Sequence, residues 1–168
     1  MLNKPRGVVS ATKDVEHTTV LDLIQHPQKS ELHIVGRLDF NTTGLVLLTN
    51  DGTWSRTISL PETKLAKIYE VTLSKPLSAE YITAFQEGIY FSYEDITTQA
   101  ASLEILSDFS ARLSLIEGKY HQVKRMFGHF QNEVLALHRV AVGHITLGEL
   151  EVGHSRLLTV EEAMKNRK

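Results

Sequence analysis

Asp39 lies in the polar stretch Gly36-Arg37-Leu38-Asp39-Phe40-Asn41-Thr42-Thr43-Gly44, just ahead of the apolar run Val46-Leu47-Leu48. A carboxylate presented from a loop onto a stiff strand is suited to covalent catalysis, provided that it is ionised and held against its reacting partner. A simpler use of the same residues is structural, because Asp and Asn side chains close turns through local hydrogen bonds. A cation beside Asp39 would hold the carboxylate in its charged form. Basic residues gather at Lys119, His121, Lys124 and Arg125, with Lys64, Lys67 and the pair His138-Arg139 elsewhere, an asymmetry that predicts a positive cleft on a mildly acidic body. No two histidines have the four-residue helical spacing of a metal pair, and there is no His-Glu-x-x-His, so no metal site is expected.

The elements that must position these residues can be read from periodicity and punctuation. Leu32 to Gly36 and Gly44 to Thr49 read as strands on either side of the Asp39 turn, and Asn50-Asp51-Gly52 reads as a turn closing the second. Ile68 to Ser74 alternates as a strand and ends at Lys75-Pro76. Ser78 is placed to cap a helix running to about Gly88, with Tyr81, Ile82 and Phe85 as its apolar stripe. Leu103 to Leu106 and Ala111 to Ile116 form a hairpin through Ser107-Asp108-Phe109-Ser110. After Gly118, the spacing of Val123, Met126, Phe127 and Phe130 predicts a helix with Lys119, Gln122, Lys124, Arg125 and His129 among its other positions. Short strands follow around Val134 to His138, His144 to Leu147 and Arg156 to Leu158, and Thr159 with Glu162 forms a capping box for a last helix. Trp54, Phe127 and Phe130 read as core. Strands and helices without regular βαβ alternation predict an α+β fold.

Composition sets the bounds. A chain of 168 residues with no linker, repeat or low-complexity stretch reads as one compact unit able to bury a core. It has no cysteine, hence no disulfide framework and no thiolate zinc site. No apolar run approaches the roughly 20 residues that span a bilayer, and Met1-Leu2-Asn3-Lys4-Pro5 does not open a signal peptide, so a cytoplasmic protein without membrane partners is expected. The formal net charge is −2 and the sequence pI is near 6.4, so any field attracting nucleic acid must be local.

Several blocks together resemble one family. Gly36-Arg37-Leu38-Asp39, Thr42-Thr43-Gly44-Leu45 and Leu48-Thr49-Asn50-Asp51-Gly52 are similar to the catalytic signature of RsuA-type pseudouridine synthases. Leu2-Asn3-Lys4-Pro5-Arg6-Gly7, Lys67-Ile68-Tyr69-Glu70-Val71 and Glu117-Gly118-Lys119-Tyr120-His121-Gln122-Val123-Lys124-Arg125-Met126-Phe127 extend the likeness across nearly the whole chain in the family's order. The last block is closest to the branch acting on small-subunit ribosomal RNA. The resemblance implies a mixed, largely antiparallel sheet with flanking helices and a central catalytic cleft. It also implies isomerisation of a specific uridine, most closely one in 16S ribosomal RNA, to pseudouridine. No cofactor or metal is implied. The expected partner is ribosomal RNA or a ribosomal assembly intermediate, met by a monomer.

By motif position, Asp39 is the nucleophile, Tyr69 stacks on the flipped base as a possible proton acceptor, and Lys124 is the cation paired with Asp39. Val123 gives an apolar wall to the pocket, and Arg37 takes the space or phosphate vacated by the target base. Lys67, Lys119, His121, Gln122 and Arg125 complete the expected RNA contacts, while Asn3, Lys4 and Pro5 read as scaffold. Family members usually carry an N-terminal S4-type RNA-binding domain, whereas residues 1–168 read as the catalytic domain alone. The alternatives are a target in 23S ribosomal RNA or tRNA, a non-catalytic RNA-binding module, and a haloacid-dehalogenase-type hydrolase. The last is disfavoured because Gly36-Arg37 breaks the strand before its nucleophile and Asn41 stands where a second acid is preferred.

Overall fold

The computed structural model describes residues 1–60, 65–119 and 121–165; Lys64 and Tyr120 lie outside them. In chain order the strands and α-helices are β1 (Leu2–Lys4), β2 (His33–Val35), β3 (Thr43–Thr49), α1 (Gly52–Ser59), β4 (Lys67–Leu73), α2 (Ala79–Glu87), β5 (Tyr90–Phe91), β6 (Ile96–Thr97), β7 (Ser102–Ser107), β8 (Ser110–Leu115), α3 (Gln122–Gly128), β9 (Val134–Val142), β10 (Ile145–Thr146) and α4 (Val160–Lys165). Strand pairing is mostly antiparallel, with β3 and β9 parallel, so the α+β class stands. The chain forms two compact units, Met1–Leu65 with His138–Lys168, and Ala66–Leu137. The first is therefore built from both ends of the sequence.

In the first unit β3 is the organising strand. Its apolar run is buried, with Leu45 and Val46 fully inaccessible, because partners use both of its edges. β1 pairs antiparallel with its first half, from Leu2 opposite Val46 to Lys4 opposite Gly44, and β2 pairs antiparallel with its second half. The second half of β9 runs parallel to its start, with Thr43 opposite His138 and Gly44 opposite Arg139. Gly44 makes that approach possible. A Cβ there would lie 2.2 Å from the Arg139 carbonyl oxygen, and its φ of +111° is one that side chains strain to adopt. Asn50-Asp51-Gly52 does more than turn the chain. Asp51 Oδ1 accepts from the Thr53 and Trp54 amides at 3.0 and 3.1 Å, capping α1, a helix that sequence periodicity does not reveal. Trp54 and Ile58, four residues apart, turn inward onto Val35, Leu45, Leu47, Val142, Ile145 and Leu147. At the far end, Thr159 Oγ1 accepts from the Glu162 amide and Glu162 Oε1 from the Thr159 amide, the expected capping box. Arg156 to Leu158 is not a strand; the neighbouring Ser155 meets Leu2 through an isolated bridge.

In the second unit β8 lies between β4 and β7, antiparallel to both, with Tyr69 opposite Leu113 and Glu104 opposite Arg112. α2 and α3 supply the other side of the core. Phe85, Met126 and Phe127 are completely buried, and full burial of each contributes roughly 1.5–3 kcal/mol. Phe85 and Phe127 meet edge to face at 4.9 Å. α2 ends as expected at Gly88, whose Cβ would clash with the Thr98 carbonyl oxygen at 2.3 Å. Ile82, expected on the apolar stripe of α2, is 40% exposed, because Tyr81 and Phe85 carry the contact. Phe130 falls beyond the end of α3 and stacks on Tyr81, ring centroids 4.0 Å apart.

Candidate active site

The loop carrying Asp39 is built from opposed local demands. Leu38 is buried as an anchor, while Arg37, Asp39 and Phe40 around it are exposed. The turn itself closes with the Thr42 amide donating to the Asp39 carbonyl at 3.0 Å. Its backbone is then tied to the N-terminal segment at several points. Ser10 Oγ accepts from the Leu38 amide at 3.1 Å and donates to the Leu38 carbonyl at 2.7 Å. The Phe40 carbonyl accepts from the Gly7 amide at 2.9 Å and from Lys4 Nζ at 3.2 Å. Arg6 Nε donates to Asn41 Oδ1, and Thr43 Oγ1 lies 2.7 Å from His138 Nδ1. The Phe40 ring stands edge-on to His17 at 5.1 Å.

Two buried cations stand behind this loop. Lys4 is completely inaccessible, with Nζ also donating to the Pro5 carbonyl at 3.0 Å. Burial lowers its pKa to about 8, while the negative charge of Asp39 opposes that shift. Arg139 is 3% exposed; Nε donates to the Leu45 carbonyl at 2.9 Å and Nη2 to the Gly36 carbonyl at 2.6 Å. The sequence alone reads Lys4 as scaffold and Arg139 as one of the cations of a positive cleft. For Arg139 a usable signal existed, because Leu137, Arg139 and Ala141 alternate on the buried face of β9. For Lys4 there was none, since a three-residue strand is too short to show a period.

Tyr69, Lys67 and the residues expected on α3 belong to the second unit. Tyr69 is half-buried on the same face of β4 as Val71 and Leu73 and packs at the margin of the core that includes Val123. The entry into α3 is a braced corner. His121 takes the left-handed conformation, with φ of 48°. Gln122 is 3% exposed, and its amide group accepts from the Lys119 amide at 3.0 Å and donates to Glu117 Oε1 at 2.8 Å. The same Glu117 oxygen accepts from the Gln99 amide at 2.7 Å, and Lys119 Nζ pairs with Glu117 Oε2 at 3.3 Å. Val123 is buried and Lys124 is half-buried. Arg125 lies 3.9 Å over the Phe91 ring and pairs with Glu94, whose carboxyl it holds below the usual carboxylate range. Arg37 and Asp39 are thus gathered in one unit, and Lys67, Tyr69, Lys119, His121, Gln122, Val123, Lys124 and Arg125 in the other. Among the described residues, no three His, Asp or Glu side chains gather as a metal-ligand set, and no helix is long and apolar enough to cross a membrane.

What this arrangement offers chemically is an exposed carboxylate on a tethered backbone, and separately a strand tyrosine beside an apolar core with a cation-bearing helix. Comparison with known proteins gives it a setting. The profile of the RNA pseudouridylate synthase family matches residues 1–129. The ribosomal small subunit pseudouridine synthase A of Pseudomonas aeruginosa is 53% identical over 163 residues, covering 96% of this chain and 71% of that protein. The protein of the same name from Haemophilus influenzae is 46% identical over 166 residues, covering 98% and 72%. A crystal structure of a pseudouridylate synthase superposes with a TM-score of 0.93 at 44% identity, covering 98% of this chain and 71% of that one. The archaeal box H/ACA sRNP Nop10-Cbf5 complex shares the fold at a TM-score of 0.55 and 15% identity, covering 86% of this chain and 47% of that one.

Proposed function

Because this chain belongs to the RNA pseudouridylate synthase family, we propose that it converts one uridine of small-subunit 16S ribosomal RNA to pseudouridine, with the Asp39 carboxylate as nucleophile. The reaction is an isomerisation. The bond from ribose C1′ to uracil N1 breaks, the base turns within the site, C1′ bonds to C5, and the C5 proton is lost while N1 gains one. Attack at C1′ or at C6 uses the same carboxylate. Tyr69 supports the base, Val123 walls its pocket, and Lys124 is the cation paired with Asp39. Arg37 occupies the place the flipped nucleotide leaves. Lys67, Lys119, His121, Gln122 and Arg125 belong to the RNA-facing set of this reading, and residues 1–168 are its catalytic domain, working in the cytoplasm.

The observation that carries the proposal is the tethering of the Asp39 loop. Contacts from Lys4, Gly7 and Ser10 fix its backbone while Asp39 itself stays exposed. Preorganisation of that kind is what a nucleophile needs and a mere turn does not. The small-subunit target rests on the names of relatives 53% and 46% identical. Unmodified small-subunit RNA incubated with the protein, labelled with carbodiimide and read by reverse transcription, should show one new stop. The stop should be missing with Asp39→Asn. A stop only in large-subunit RNA or tRNA would redirect the target; none on any substrate would remove the activity.

A further inference from the structure

We propose that Arg139 is the positioning residue of the Asp39 loop, acting as a two-point clamp across the loop's neck. Gly36 opens the loop and Leu45 follows its close, and one guanidinium takes the carbonyls of both, at 2.6 and 2.9 Å. The backbone prepares this reach. Gly44 pairs with Arg139 in parallel register, and the missing Cβ lets β9 come within a distance that any side chain would block. Gly36 adds to it through its φ of +77°, a conformation that side chains rarely adopt, which turns its carbonyl toward Arg139 Nη2. The planar fork of arginine holds two acceptors at a set separation, which a lysine's point charge cannot do. At 3% exposure water is a poor substitute, so loss of the clamp would leave buried polar groups poorly satisfied. The β2–β3 ladder closes the base of the neck where Val35 lies opposite Leu47, and the clamp extends that closure to Gly36 and Leu45. Ser10 and Lys4 hold the body of the loop, but neither bridges its two ends.

This inference rests on Asp39 being the nucleophile, and the test separates the two ideas. Arg139→Met and Arg139→Lys are compared with the unaltered protein by amide hydrogen exchange in the free state and by single-turnover kinetics with the RNA affinity measured alongside. In Arg139→Met, exchange should rise within residues 36–45 while the rest of the chain keeps its protection. The rate at saturating RNA should fall about 100-fold, as a displacement of about 1 Å costs a positioned group. The dissociation constant should change by no more than about twofold, since the loss lies in the reacting geometry and not in ground-state binding. Arg139→Lys should recover part of the rate, because it reaches one carbonyl. Normal exchange with full rate would overturn the proposal, as would a rate loss that disappears on saturation with RNA. Failure of both variants to fold, seen by circular dichroism, would make Arg139 a folding residue and also overturn it. If the unaltered protein forms no pseudouridine, the nucleophile reading falls, and the exchange comparison alone decides whether Arg139 holds the loop.

Discussion

Behind the Asp39 loop two cations, Lys4 and Arg139, are buried and bonded to backbone carbonyls, whereas in the stretch from Glu117 to Arg125 the paired cations are more accessible and meet carboxylates. Lys4 and Arg139 are 0% and 3% exposed and reach Pro5, Gly36, Phe40 and Leu45 through main-chain oxygens. Lys119 and Arg125 instead pair with Glu117 and Glu94. The physical outcomes differ. A buried cation on carbonyls fixes backbone geometry, and the charge of Lys4 is also felt by the Asp39 carboxylate. An accessible cation on a carboxylate is largely neutralised, and such pairs contribute only about 0–1 kcal/mol. A cluster of basic letters is therefore a poor guide to where positive potential is available. Burial, which the letters do not reveal, separates Lys4 and Arg139 from the exposed Arg6 and Arg37.

The largest effect that would break this contrast is at the proposed nucleophile. Asp39→Asn keeps the shape and turn-forming capacity of the side chain, and product formation should fall on the order of 10⁴-fold with the melting curve and RNA affinity nearly unchanged. Appreciable turnover by a verified preparation would show that the tethered loop serves something other than nucleophilic attack.

Next comes the buried lysine. Its pKa of about 8 in the folded chain lies below the ordinary 10.5, so between those values the unfolded chain binds the proton that the folded chain has released. Stability must then rise with pH through that window, by up to about 3 kcal/mol, and Lys4→Met should lack the rise. Urea unfolding of both proteins at pH 7.5 and 10 measures the difference. Parallel behaviour would mean that Lys4 is not held as a desolvated cation.

At the other region, Lys124→Met should slow single turnover about 100-fold at saturating RNA, with Lys124→Arg keeping more of the rate because it keeps the charge. Full activity in Lys124→Met would leave Lys4 as the cation that matters to Asp39. The smallest effect sharpens the neutralisation argument. Arg125→Gln should lower the log-log salt slope of RNA binding by less than the roughly 0.7 of one free phosphate contact, because Glu94 already offsets its charge. Arg37→Gln, at an exposed residue expected to meet phosphate, should lower it by about that full amount, and equal losses would show that the Glu94 pair opens when RNA binds.

Much of the local structure was legible because it rests on short-range rules. The capping box at Thr159 and Glu162, the hairpin around Ser107 to Ser110 and the helix closing at Gly88 each depend on neighbours a few positions apart. The failures have equally local causes. Asn50-Asp51-Gly52 is a turn in sequence, yet the Asp51 carboxylate caps α1, whose two buried residues are too few to announce a helix. Ile82 fits a helical stripe, but the width of the core contact decides which edge of the stripe is buried.

By itself the sequence determined the α+β class, the position of Asp39 between two strands, and the motif resemblance that the relatives bear out. Those depend on residue type and spacing along the chain. Only the tertiary structure decided that the first unit is assembled from both termini, and that Lys4 and Arg139 come to lie behind a loop 35 and 100 residues away from them in sequence, counting from Asp39. Burial and hydrogen-bond partnership at such separations are properties of packing. A charged letter does not reveal which carbonyls it will meet until the strands are in register and a glycine has let two of them come close.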